Sequence, residues 1–218
     1  MFDYHTHTIF SDGDLIPSEL VRRATKIGNE GIALTDHVDF SNYDFVLRSL
    51  LQAKKELEGD WEIAVLIGVE ITHVPPKKID KLVEKAKKAG AEIIVIHGES
   101  IVEPVANGTN KAAVANEDVD ILAHPGFITE EEVELAKDND VLLEITARIG
   151  HSLTNGHVAS LAKKMGANVV IDTDTHSPND LINDEMAMMV LMGAGFDGDT
   201  AKKILDYGKE HYKGLSDL

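Results

Sequence analysis

Short β-branched or aliphatic runs alternate along this chain with longer stretches of helical periodicity, the pattern of a parallel sheet or barrel whose strands are wrapped by helices. The runs predict strands at 2–6, 31–35, 63–69, 92–96, 119–123, 141–145 and 168–172. Helices are expected at 17–27, 45–58, 79–89, 130–137, 157–165, 184–192 and 200–212. Pro17 suits a first helical position, where no amide hydrogen is needed, Thr129 caps the helix that follows it, and Gly90 is a helix stop. Seven strands are one short of the standard eight-stranded β/α barrel. At 218 residues the chain fits one domain better than two, and nothing in it reads as a linker, a repeat or a low-complexity segment.

Read to its C-terminal end, nearly every strand finishes in a metal-ligand residue type: His5 and His7, His37, Glu70, His97, His124, and Asp174 with His176. In a parallel barrel these ends share one face, the face on which active sites are built. His5 and His7 stand at i and i+2, on one side of their strand, and Asp174 with His176 repeats the spacing. Any one of these histidines alone is more simply a hydrogen-bonded structural residue. Eight ligand-type residues at one structural address change that balance, because a buried group of imidazoles and carboxylates is costly without an ion to organise it. Asp12, in the Ser11-Asp12-Gly13-Asp14 loop, is near enough in sequence to fold back over the mouth, with a plain turn residue as its alternative. Asp36, pointing away from His37, and Asp172, deeper on its strand, are expected to support the site rather than ligate. Nine candidates exceed what one ion needs, so two or three divalent ions sharing bridging groups are expected, with Glu70 the best bridge.

The chain has no cysteine, which excludes disulfides, thiolate nucleophiles and sulfur-ligated metals. That leaves N/O ligation of zinc, manganese or iron. A formal charge of −17 argues against a large phosphate-backbone footprint and so against a nucleic-acid partner. A small phosphorylated substrate stays compatible, since bound ions supply local positive charge. No apolar run approaches the ~20 residues a membrane span requires, and the N-terminus carries no secretory signal, so a cytoplasmic location is expected. Lys77-Lys78 and Lys87-Lys88 read as solvated helix faces, and Met186, Met188 and Met189 as core packing. Nothing here bears on oligomeric state.

His5-Thr6-His7-Thr8 with Ser11-Asp12-Gly13, then Thr35-Asp36-His37, Gly68-Val69-Glu70, Ile96-His97-Gly98, Ala123-His124-Pro125 and Asp172-Thr173-Asp174-Thr175-His176 follow one another at strand ends. In order, spacing and placement they resemble the motifs of the PHP (polymerase and histidinol phosphatase) superfamily over nearly the whole chain. The resemblance implies an α/β fold, a distorted (β/α)7 barrel in a single domain, with a trinuclear centre. It implies one ion at His5, His7, Glu70 and Asp174, a second at Glu70, His97 and His124, and a third at Asp12, His37 and His176. Many relatives carry Ser-Asp-Ala-His in the last motif where this chain has Thr173-Asp174-Thr175-His176, which keeps the ligand positions.

The expected activity is metal-dependent hydrolysis of a small phosphomonoester, histidinol phosphate among the candidates, by a hydroxide bridging two ions. Arg148, just past a strand end, is the expected phosphate-binding cation. His151 and His73 are candidates to contact substrate or protonate a leaving group. Rival readings are an amidohydrolase, which usually adds a strand-end lysine absent here, and a phosphodiesterase or exonuclease using the same centre. A non-catalytic scaffold like the PHP-like component of ribonuclease P is also a rival, against which the intact ligand positions and the acidic charge both weigh.

Overall fold

The computed structural model describes residues 1–57 and 59–216. Its parallel strands are β1 (Phe2–Asp3), β2 (Gly31–Leu34), β3 (His37–Val38), β4 (Ala64–Ile71), β5 (Ile93–His97), β6 (Ile121–Ala123), β7 (Leu142–Thr146) and β8 (Val169–Asp172). They lie side by side in the order β1-β2-β4-β5-β6-β7-β8. β3 continues β2: Gly31 lies opposite Ala64 and His37 opposite Glu70, one unbroken register interrupted only at Thr35-Asp36. The sheet therefore has the seven expected strands. Its two edges approach each other through side chains and a single bridge. Thr6 pairs with Thr175, the His7 amide donates to the Thr175 carbonyl at 2.8 Å, and the Tyr4 amide donates to Asp172 Oδ1 at 2.7 Å. The result is a nearly closed, distorted barrel in one α/β domain.

Two apolar layers follow from strand alternation. Ala33, Leu66, Ile93, Val95, Ile121, Ala123, Leu142 and Val170 fill the interior with Phe2 and Tyr4. Ile32, Leu34, Ile67, Val69, Ile94, Ile96, Leu143, Ile145 and Ile171 face outward. They pack under α1 (Pro17–Ile27), α2 (Tyr43–Leu57), α3 (Ile79–Lys88), α4 (Thr109–Val114), α5 (Glu130–Asp138), α6 (Asn155–Met165) and α7 (Asp184–Gly193). Helix α8 (Gly198–Ser216) crosses the seam. It accepts the Tyr4 hydroxyl at the Gly208 carbonyl and rests Tyr207 on the inner core.

Local signals placed most boundaries within a few residues. Gly28, at φ 90°, ends α1 in the left-handed conformation that glycine adopts without strain, and Thr129 with Glu132 forms a reciprocal capping box on α5. The helix expected at 45–58 begins two residues early, and its last residue, Glu58, lies outside the described residues. The strand expected at 63–69 runs on to Ile71, which puts Glu70 inside it. Helix α4 was not foreseen, being only six residues long, after Gly108.

Two expectations need correction. On α7, Ala187 and Leu191 turn inward, so Met186 and Met189, on the other flank, are exposed; only Met188 packs partly against the core. Lys87 is not simply solvated, because its ammonium reaches Asp120 at 3.3 Å, whose carboxylate also accepts the Ile94 amide at 2.6 Å.

Gly68 faces β5 so closely that a Cβ there would lie 2.3 Å from the Ile93 carbonyl oxygen, whereas a Cβ at Gly193 meets nothing. Gly68→Ala is expected to lower stability by about 2–3 kcal/mol through overpacking. Gly193→Ala should be neutral or stabilising by up to about 1 kcal/mol, by removing a helical glycine. Urea midpoints of the two variants check both signs.

Candidate metal centre

The C-terminal ends of the strands gather the expected ligands into one buried group. Glu70 is fully buried, and its carboxylate lies 3.3 Å from His5 Nε2, 3.6 Å from His7 Nε2, 2.6 Å from His37 Nδ1 and 3.6 Å from His124 Nε2. Asp174 Oδ1 lies 3.1 Å from His7 Nε2 and 3.7 Å from His5 Nε2. Asp12 does fold back: its Oδ1 lies 3.2 Å from His176 Nε2 and 3.6 Å from His37 Nε2. Gly13 makes this possible, since a Cβ there would sit 2.4 Å from the His7 carbonyl oxygen. Asp36 holds the same loop from below, accepting from the Thr8 amide and from the Thr8 and Ser11 hydroxyls at 2.6–2.8 Å. Asp172 instead accepts the Tyr4 amide across the seam.

Donor atoms of His5, His7 and Asp174, of His5, Glu70 and His124, and of His7, Asp12, His37 and His176 lie within 4.8 Å of one another. His124, His151 and Asp174 make a further such group. Among the described residues His97 joins none of them; its Nε2 faces Glu103 Oε2 at 3.1 Å. Of the four non-glycine residues with positive φ among the described residues, His73, His124 and Asp174 belong to this region. Such strain persists where the surroundings over-determine it, as functional sites do.

Hydrogen bonds outside the cluster decide what the imidazoles present inside it. His176 Nδ1 donates to the Asp174 carbonyl at 2.8 Å, and His5 Nδ1 donates to the buried Glu144 carboxylate at 2.7 Å. In a neutral ring each Nε2 then carries a lone pair, and those lone pairs face the carboxylates of Asp12, Glu70 and Asp174. Where a ring is neutral, acceptor faces acceptor in a buried space, a conflict that a proton on the ring or a cation between the groups relieves. His5 Nε2, both ring nitrogens of His7, Glu70 Oε1, His124 Nδ1 and Asp174 Oδ1 make no hydrogen bond, while Glu70 Oε2 has His37 Nδ1 at 2.6 Å. This donor set fits divalent ions of the N/O class.

The titration pattern reflects the crowding of these groups. Burial pushes His7 and His124 well below the usual imidazole range, aided by neighbouring imidazolium charge. For His5 burial acts downward too, but the carboxylates of Glu70, Glu144 and Asp174 outweigh it and hold the ring well above its ordinary value. Burial drives Asp174 up to about 7 against the pull of His5.

Above the cluster opens a cleft of about 430 Å³ lined by Asp12, His37, His97, Arg148, Asp174 and His176 among others. All three expected substrate-contacting residues line it. Arg148 pairs with Asp180 at 3.1 Å and approaches Asp174 at 3.9 Å; His151 is buried, with Nδ1 2.6 Å from Ser100 Oγ; His73 stands half exposed. Sequence reasoning missed Glu103 and Glu144. Glu144 had a signal, being a charged residue inside the apolar run Val141-Leu-Leu-Glu-Ile at inward parity; Glu103, on a loop, had none.

Binding of ions to the native state alone must raise thermal stability. Saturation to about 100 times Kd with Mn²⁺ or Zn²⁺ is expected to add about 2.7 kcal/mol per site. For a chain of this size that is roughly 5–10 °C in Tm. Glu70→Gln should abolish most of the rise in differential scanning calorimetry.

The PHP domain family matches residues 3–164. The chain is 54% identical over 216 residues to an uncharacterized protein of Methanocaldococcus jannaschii, covering 98% of this chain and 99% of that one. It is 30% identical to ribonuclease P protein component 3 of Methanosarcina barkeri, over 67% of this chain and 56% of that one. It is 28% identical to a probable phosphatase of Clostridium novyi, over 81% and 79%. Among solved structures, a chain of an archaeal ribonuclease P with mature tRNA superposes with a TM-score of 0.72 at 22% identity, covering 98% of this chain and 90% of that one. Histidinol phosphate phosphatase from Lactococcus lactis, complexed with zinc, L-histidinol and phosphate, superposes with a TM-score of 0.61 at 18% identity, over 90% and 94%. The extent of the family match and the strand-end ligands together make this chain a member of the PHP domain family.

Proposed function

We propose that this protein is a metal-dependent phosphoesterase acting on a small phosphomonoester. The observation that carries the reading is the buried convergence of imidazole nitrogens and carboxylate oxygens, several without a hydrogen-bond partner, in groups within 4.8 Å of one another. His5, His7, Asp12, His37, Glu70, His97, His124, Asp174 and His176 would hold two or three divalent ions, zinc, manganese or iron. Such ions supply a nucleophilic water at neutral pH and offset phosphoryl charge. Glu144 orients His5 through Nδ1, and the Asp174 carbonyl does the same for His176. Arg148, at the cleft wall beside Asp174, offers a guanidinium to the phosphoryl oxygens, with His73 and His151 lining the wall toward the leaving group.

The names of relatives favour a second reading, a PHP barrel serving as a subunit of a ribonucleoprotein. The likeness to ribonuclease P protein component 3 and to a chain of an archaeal ribonuclease P supports it. A charge of −17 opposes broad contact with an RNA backbone, although a protein-mediated place in such an assembly needs none.

Phosphate release from a panel of monoesters and diesters, L-histidinol phosphate included, separates the two. With Mn²⁺ or Zn²⁺ turnover is expected, and His5→Ala/His7→Ala should remove it. Arg148→Ala should lower kcat/KM by about tenfold or more, the loss of a charge-assisted contact. Full metal loading without turnover, beside tight association with ribonuclease P RNA or its proteins, would favour the assembly reading.

A further inference from the structure

We propose that Glu103 is an additional metal ligand, holding one of the divalent ions together with His97 at the outer edge of the centre. The proposal rests on the metal-centre reading above and adds a residue that lies outside the strand-end pattern. His97 is the one expected ligand that meets no three-residue donor group among the described residues. Its Nδ1 donates to the Gly98 carbonyl at 3.2 Å, which leaves the Nε2 lone pair free in a neutral ring. That nitrogen lies 3.1 Å from Glu103 Oε2, an ion pair when the ring is protonated and two donor atoms for one cation when it is neutral. Metal bonds of about 2.0–2.2 Å set at right angles put neighbouring donors about 3 Å apart. The pair therefore already has the spacing of two ligands on one ion. His73 Nε2 stands 3.7 Å from the same oxygen, and His151 Nε2 stands 3.4 Å from Glu103 Oε1, so further nitrogen donors lie on both flanks.

The loop that carries Glu103 is built to deliver it. Glu99 Oε1 accepts the Gly108 and Asn110 amides at 2.9 and 3.0 Å, closing the loop at its base. Asn110 accepts the Glu99 amide at 2.9 Å and donates to the Pro125 carbonyl at 2.8 Å, which ties that base to the turn after His124. At Gly126, with φ 61°, a Cβ would lie 2.0 Å from the Glu99 carbonyl oxygen, so the two loops fit only without a side chain there. Ser100 Oγ meets His151 Nδ1 at 2.6 Å and pins the rising limb. A glutamate with no role at the tip of such a loop would extend into water; this one turns down into the cleft against three imidazoles.

The test is metal binding rather than turnover. Chelator-competition titrations with Mn²⁺ and Zn²⁺ would be run on the wild type, Glu103→Gln, His97→Ala and the double variant, with exposed Glu131→Gln as control. One ion should bind about tenfold or more weakly in Glu103→Gln, with the remaining ions unchanged. The double variant should lose no more than His97→Ala alone, because both residues serve the same ion. Equal stoichiometry and affinity in Glu103→Gln and wild type overturns the proposal, as does additive loss in the double variant. Glu103-dependent binding in a protein that hydrolyses no phosphoester would sink the phosphoesterase reading and leave this proposal standing, whereas a wild type that binds no ion sinks both.

Discussion

A carboxylate buried beyond the reach of water sits at the centre of this molecule, and much of the surrounding structure answers to it. Burying Glu70 without compensation would be prohibitive. The barrel compensates by ending its strands in imidazoles, of which His5, His97 and His176 have Nδ1 committed to a carboxylate or a carbonyl. In His5 and His176 those bonds leave Nε2 facing Glu70, Asp174 and Asp12, an arrangement suited to a cation. The strained backbone at His124 and Asp174, and the seam closed by Asp3 and Asp172, maintain that convergence. On the proposed reading, divalent ions at these groups would couple stability to chemistry.

How much of this was legible follows from which physical rule places each residue. Strand parity and strand-end position are periodic properties, so His37, Glu70, His97, His124 and Asp174 could be assigned to one face before any coordinates. The chemistry that a lone histidine leaves open became readable because the same residue types recurred at the same structural address. Glu144 obeyed the same parity and was overlooked because it lies one step inside its strand rather than at its end. Glu103 obeys no periodicity: it reaches the site through a loop whose shape depends on Glu99, Asn110 and Gly126 acting together. Asp12 was reachable from sequence only as a loop near His7, and the close approach at Gly13 decides its direction. The methionines of α7 failed for a related reason, since a short helix with apolar residues all round does not announce which flank is buried.

One barrel supports proteins with quite different names, from phosphatases to ribonuclease P components, so the scaffold alone does not decide function. The distinguishing features are local. This chain has each of the nine ligand-type side chains and a cleft carrying Arg148 above them, and its acidity disfavours an extended nucleic-acid surface. Buried ionisable groups can be replaced by apolar side chains at little cost, so their presence here supports the metal-centre proposal.

The central claim is that these buried groups are ordered by divalent ions. The most direct measurement is the metal content of protein purified without chelator, saturated with Mn²⁺ or Zn²⁺ and desalted, counted by inductively coupled plasma mass spectrometry. The account predicts roughly two or three tightly held ions per chain, as expected for sites that share bridging carboxylates. Retention of none, in protein whose circular dichroism shows it folded, would contradict it.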